Sequence, residues 1–122
     1  MTNLSDPIAI QPINRNAVTL YATQDLLDWI IETKPELHGT NLDSINSNPA
    51  TYLIEIEDQN MEGYVIISNF RAIVAHELTN HLYIEKDKWP KITKELFFKW
   101  YEIKYHNVVY DFCKEAIVFY DD

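Results

Sequence analysis

Between Thr51 and Lys86 the hydrophobic positions crowd into YLIEIED, GYVIIS, RAIVAHEL and HLYIEK, rich in β-branched and aromatic residues with turn-prone residues between them. That pattern predicts an antiparallel meander. In the first segment Tyr52, Ile54 and Ile56 alternate with Leu53, Glu55 and Glu57, so a strand sets an apolar face against two carboxylates, with Leu53 as the exception. DQNMEG makes the turn and adds Asp58 and Glu62 at its tip. GYVIIS is apolar on both faces, as a central strand is, and Asn69 to Arg71 form a turn or bulge before AIVAHEL.

The period changes on either side of this stretch. From Thr23, a fitting N-cap, QDLLDWIIETK places Leu26, Leu27, Ile30 and Ile31 at helical spacing, and Pro35 ends the helix. Asp25, Asp28 and Glu32 then share its solvent face, with Asp25 in the first turn where the helix dipole favours a carboxylate. Residues 1–16 read as an irregular arm, Ala17 to Tyr21 as a short strand, and residues 39–50, rich in Asn and Ser, as a loop. Asp87 and Pro90 open a second helix through KITKELFFKWY, where Ile92, Leu96 and Trp100 form the apolar stripe and Phe97 and Tyr101 widen it. Beyond it EIKY, NVVYDF and EAIVFY form two or three short strands, unless the helix runs on to about Lys104.

The expected architecture is therefore a single α+β domain spanning 1–122. It has an antiparallel sheet of five to six strands with two main helices, near residues 24–34 and 88–101, packed on it. A chain of 122 residues that is 47% hydrophobic can support one independent core.

Charge narrows the function classes. Ten Lys and Arg stand against nineteen Asp and Glu, a net charge of -9. Residues 1–70 hold ten acids and two bases, whereas the remaining 52 residues hold nine acids and eight bases, six of them between Lys86 and Lys104. This argues against direct nucleic-acid binding and against an anionic membrane surface. The N-terminal residues have neither the basic start nor the apolar run of a signal peptide, the longest apolar runs are far short of a membrane span, and a cytoplasmic location is expected. Cys113 has no partner for an internal disulfide and, beside Phe112, reads as a buried inert thiol. With Gly39 and Gly63 the only glycines, a glycine-rich phosphate loop and a dinucleotide fingerprint are both ruled out, and no cofactor is expected. Eleven of the sixteen aromatic residues fall from Tyr83 onward, a density that reads as core sooner than as a stacking platform for bases.

The most suggestive local pattern is His76-Glu77-Leu78-Thr79-Asn80-His81. It resembles the zinc-peptidase motif HExxH with one residue added. The dipeptidyl peptidase III enzymes use a motif with this extra residue; here the resemblance covers six residues, and no roles are carried over from it. Positions five apart on an α-helix lie about 140° around the axis, so the two imidazoles cannot face one metal without a distorted turn. The flanking β-branched residues instead favour a hairpin turning at Thr79 and Asn80, with the two histidines on one strand face and Glu77 on the other. A metal there would lack its base. His38 and His106 have no partner pattern, and neither a nucleophile elbow nor an activated cysteine is present.

What remains are the carboxylates Asp25, Asp28, Glu32, Glu55, Glu57, Asp58 and Glu62. Converging on one surface, they would bind a basic protein partner quickly and in a salt-sensitive way. The reading that follows is a non-enzymatic acidic binding protein of the bacterial immunity or toxin-inhibitor type, neutralising a partner such as a toxin nuclease, with a homodimer through an exposed edge strand left open. The alternatives are a small metal-dependent hydrolase using the His76 and His81 region, and a phage or accessory protein that mimics nucleic-acid charge.

Overall fold

The computed structural model describes residues 12–55, 62–113 and 115–120, with residues 62–68 described by their backbone. The element order is β1 (Arg15–Ala22), α1 (Gln24–Thr33), α2 (Leu42–Ile45), β2 (Thr51–Glu55), α3 (Glu62–His76), α4 (Lys94–Trp100) and β3 (Tyr101–His106). Short 3-10 turns lie at Pro35–Leu37 and Lys86–Lys88, and a π turn covers Glu77–His81. The class is α+β, but the expected sheet of five to six strands is wrong. Among the described residues the sheet has three antiparallel strands in the order β2-β1-β3, accompanied by four helices.

The error lies in the meander. From Glu62 onward the chain is one long helix, not two strands and a hairpin. The reason is visible in its buried positions: Phe70, Ile73, Val74, Glu77 and Leu78 are buried, whereas Asn69, Arg71, Ala72 and His76 are exposed. Burial at i, i+3, i+4, i+7 and i+8 is one face of a helix. The β-branched composition of VIIS and AIVA concealed that period, because a short apolar run does not by itself distinguish strand from helix. Packing against the sheet and α4 overrides a weak local preference.

β1 is the central strand and is buried from Asn16 to Leu20. It pairs with β2 in the register Asn16↔Ile54 and Val18↔Tyr52, and with β3 as Val18↔Tyr105 and Leu20↔Ile103. On β2, Ile54 is buried and Tyr52 half-buried while Leu53 and Glu55 are exposed, the alternation expected from the sequence. Helices cover the face that carries Val18, Leu20 and Ile54. The core there is built from Leu26 and Ile30 of α1, Val74 and Leu78 of the α3 region, and Phe97 and Trp100 of α4. Trp29 and Trp100 stack with centroids 4.7 Å apart, joining α1 to α4.

Several local expectations are refined. Thr23 precedes α1 as expected, but its hydroxyl donates to the carbonyls of Lys99 and Trp100, tying the start of α1 to the end of α4. The second helix starts at Lys94, not near residue 88, because Thr93 is its N-cap and accepts from the Leu96 N–H. It stops at Trp100, where Tyr101 enters β3. The loop at residues 39–50 contains the single turn α2, closed by a capping box between Asn41 and Ser44. Cys113, expected to be buried, is exposed, as are Phe112, Phe119 and Tyr120 around it. Of the irregular arm, residues 1–11 lie outside the described residues; Pro12 bridges to Tyr110, and Arg15 and Asn16 already belong to β1.

Tyr83 follows the π turn with φ of 52°, the left-handed region that a side chain disfavours. Its carbonyl accepts from Lys34 Nζ at 2.8 Å and the next N–H, of Ile84, donates to the Leu78 carbonyl, so the reversal is fixed on both sides. The Tyr83 side chain is 73% exposed and contributes little packing. Tyr83→Gly is therefore expected to hold or raise stability in urea unfolding, whereas Tyr83→Val should lower it by about 1 kcal/mol. Equal loss in both variants would show that the side chain, not the backbone, matters here.

Candidate metal centre

The π turn is the distorted turn that the HExxxH spacing requires. Its backbone bonds run from i to i+5, as in Leu82 N–H to the Glu77 carbonyl at 3.0 Å, so one extra residue is absorbed in each step. His76, the last residue of α3, and His81, the last of the turn, are brought onto one side with ring centroids 5.9 Å apart. Glu77 lies beside them. One ligand atom from each of His76, Glu77 and His81 falls within 4.8 Å of the others. The hairpin that would have sent Glu77 to the opposite face does not form.

β2 supplies the support. Tyr52 projects from β2 toward α3, and its hydroxyl donates a short hydrogen bond to Glu77 Oε2 while lying 2.9 Å from His76 Nδ1. A phenol has one proton, and its hydrogen bond points to the carboxylate. The Tyr52–His76 contact is then made with the phenol oxygen as acceptor and Nδ1 as donor. Fixing a histidine tautomer through its other nitrogen is how metal sites orient their ligands. The rings of Tyr52 and His76 meet edge to face at 84°. Glu77 is 7% exposed, and its Oε2 is 3.7 Å from His81 Nε2.

Two phenols are perturbed here. Burial, the hydrogen bond to Glu77 and the carboxylate's charge, in that order, raise the Tyr52 pKa far above the ordinary range. Burial first, then the proximity of Glu77 and Tyr52, raises that of Tyr101 as well. Both therefore remain neutral donors across the physiological range. Tyr101 is 4% exposed, and its hydroxyl has no hydrogen-bond partner among the described residues.

A cleft of about 340 Å³ opens against this site. Glu77 and His81 form part of its wall, together with Tyr101. The α2 loop closes the other side, held by Asn46, whose amide both accepts from the Ala22 N–H and donates to the Ala22 carbonyl.

The carboxylates singled out in the sequence are only partly assembled. Asp25, Asp28 and Glu32 are exposed along α1, and Asp28 accepts from Gln24. Glu55 is exposed at the end of β2, opposite Arg15 in the strand register. α1 packs on β1, α2 and α4, whereas β2 packs on β1 and α3, so the two acidic groups rest on different neighbours. Glu57 and Asp58 lie outside the described residues. Glu62 begins α3, with its side chain outside them. His106 is engaged by Thr19 at 3.0 Å and His38 lies 3.3 Å from the Pro35 carbonyl.

Reading from sequence missed Tyr52 as the polar partner of Glu77 and Tyr101 as a buried phenol, and placed Glu77 on the wrong face. A usable signal was present: on a helix carrying Phe70, Ile73 and Val74 inward, Glu77 falls on the buried face, where a carboxylate needs a donor. Comparison with protein-family models, curated proteins and solved structures yields no match for this chain.

An alkaline titration followed by phenolate absorbance checks the phenol network. At about pH 11, above the ordinary phenol value near 10, Tyr52 and Tyr101 are expected to stay protonated in the folded protein and to ionise once it is denatured. Tyr52→Phe should shrink that difference by one phenol. The sign for stability follows: above the unfolded value the unfolded chain releases protons that the fold retains, so stability falls as pH rises. Full ionisation of all eight tyrosines before unfolding would contradict the burial described.

Proposed function

We propose that this protein is a small metal-dependent hydrolase whose divalent transition metal, zinc being the best match, is held by His76, His81 and Glu77. The carrying observation is that their ligand atoms converge within 4.8 Å on a π turn at the edge of a cleft. Two imidazoles and one carboxylate form a three-ligand set of the kind found in catalytic zinc sites, which leaves a coordination position for water. A metal-bound water can become a nucleophile at neutral pH. In this reading Tyr52 holds His76 in the tautomer that presents Nε2 and keeps Glu77 oriented by its hydrogen bond. The three-ligand arrangement uses Glu77 as a ligand and needs no separate side-chain base.

The test is zinc affinity of protein prepared without a histidine tag and stripped of metal, measured by competition with a chromogenic chelator. His76→Ala and His81→Ala are each expected to abolish tight binding. Tyr52→Phe should weaken it by about 10–100-fold, the usual cost of losing a group that orients a ligand. If the wild type binds zinc no better than the histidine variants, the reading fails.

A second reading is favoured by the outer face of α1, where Asp25, Asp28 and Glu32 are exposed together in a chain of net charge -9. It is that of an acidic binding protein, of the inhibitor or immunity type, for a basic protein partner. Reversing those three charges should slow association with such a partner and flatten its salt dependence, whereas His81→Ala should leave both unchanged. Capture experiments washed with increasing salt discriminate the two variants.

A further inference from the structure

We propose that this protein forms a closed dimer of identical chains by strand exchange, in which residues 115–120 of each copy extend the sheet of the other at the free edge of β2. The proposal is independent of the metal-site reading. Four observations lead to it.

First, of the eleven large hydrophobic side chains that are exposed among the described residues, seven lie from Val108 onward. Phe119 is 95% exposed and Tyr120 92%, so these rings pack on nothing in their own chain. Single exposed apolar residues are ordinary, whereas an uncovered run of them marks a site of association. Second, in an extended segment Ile117 and Phe119 share one face and Val118 and Tyr120 the other. Apolar residues on both faces are the composition of a strand covered on both faces. The chain anchors this region only upstream, where the Ile13 N–H donates to the Val109 carbonyl at 2.7 Å and Tyr110 bridges to Pro12. Residues 117–120 make no backbone pairing among the described residues.

Third, the same chain carries an edge that such a strand fits. β2 has β1 on one side and, among the described residues, no strand on the other. Its Leu53 is half-exposed on the face opposite the helices, and Glu55 is its one charged residue. β3, the other edge, presents exposed Glu102 and Lys104, charges of the kind that guard a strand against pairing. Residues 115–120 hold a single charge, Glu115, so the contact brings few like charges together despite the net charge of -9. A foreign partner would account for the exposed segment but not for the open edge; a second copy supplies both.

Fourth, the area suffices. Phe112, Phe119 and Tyr120 of two exchanged segments are six rings, which come to roughly 1,000 Å² on one side of the contact. With the matching surface counted, the total reaches the range of about 1,200–2,000 Å² that stable interfaces bury. Because the exchange is reciprocal, it closes at two copies. β2, which carries Tyr52, becomes an inner strand of the enlarged sheet.

The test is sedimentation velocity of untagged full-length protein over a wide concentration range, with thermal melts of every variant. The wild type is expected to be a dimer. Phe119→Asp, at a fully exposed position, should leave the fold intact and weaken the dimer by about thirtyfold or more, the loss typical of a central interface residue. Leu53→Lys should weaken it likewise, with Leu53→Gln as the milder variant if the lysine lowers the melting temperature. Mixing the Phe119 and Leu53 variants should restore dimers, since one intact segment then meets one intact edge. A monomeric wild type, whether its segment is free or folded onto its own β2, would overturn the proposal. So would open-ended assemblies, or a dimer that responds to Phe119→Asp but to neither Leu53 variant, because the segment would then be meeting another surface.

Discussion

The backbone bond from Leu82 N–H to the Glu77 carbonyl is the constraint on which this part of the molecule turns. Phe70, Ile73, Val74 and Leu78 must all face the sheet, and an α-helix carried through Leu78 satisfies them. The same regular helix would place His81 well around the axis from His76. Widening the last turn to i→i+5 separates the two demands: the apolar face stays seated while the imidazoles meet. The cost of the wider turn is carried by the packing of Leu78 and by the fixed reversal at Tyr83. A π turn is the usual form in which a helix absorbs an inserted residue, and such turns recur at functional sites.

Glu77 gives this geometry its chemical character. A carboxylate at a core position is costly unless donors meet it, and the phenol of Tyr52 does so from the neighbouring strand. The contact reaches across two elements, because Tyr52 lies on β2, whose register on β1 is set by Val18↔Tyr52. A shift of β2 by one residue would turn Leu53 inward and carry the phenol away. The sheet register and the state of the histidine tautomer are thus linked through one side chain.

How much of this was legible in the sequence depends on where local pattern and tertiary packing agree. α1 was readable because Leu26, Leu27 and Ile30 repeat at helical spacing between Thr23 and Pro35. β2 was readable as far as its alternation of Tyr52 and Ile54 with Leu53 and Glu55. α3 was not, since VIIS and AIVA satisfy a strand pattern as well as a helical one. The choice was made by contacts with β2 and α4 that no local window contains. The histidine spacing demands a distorted turn if the imidazoles are to meet, and the one-dimensional pattern, which argued for a hairpin and against a metal, held no sign that such a turn was present. Tyr101 was read as part of a widened apolar stripe, and its orphan hydroxyl emerges only when its neighbours are known.

The middle position of β1 in the sheet also governs the order in which the chain can organise. Thr19 and His106, joined by a hydrogen bond, are separated by 87 positions, whereas Tyr52 and His76 are 24 apart. Closing the longer loop carries the larger entropic cost, and pairings of high sequence separation form slowly. β1 with β2, and the phenol of β2 with the end of α3, can come together while the outer edge of β1 still awaits β3. During that interval a central strand stands open to pairing with any other extended segment. The exposed run from Ile117 to Tyr120 is of the same strand-forming composition. The β1–β3 pairing thus carries the larger loop-closure cost of the two that the central strand makes, and that edge of β1 is the one a competing strand would have to reach.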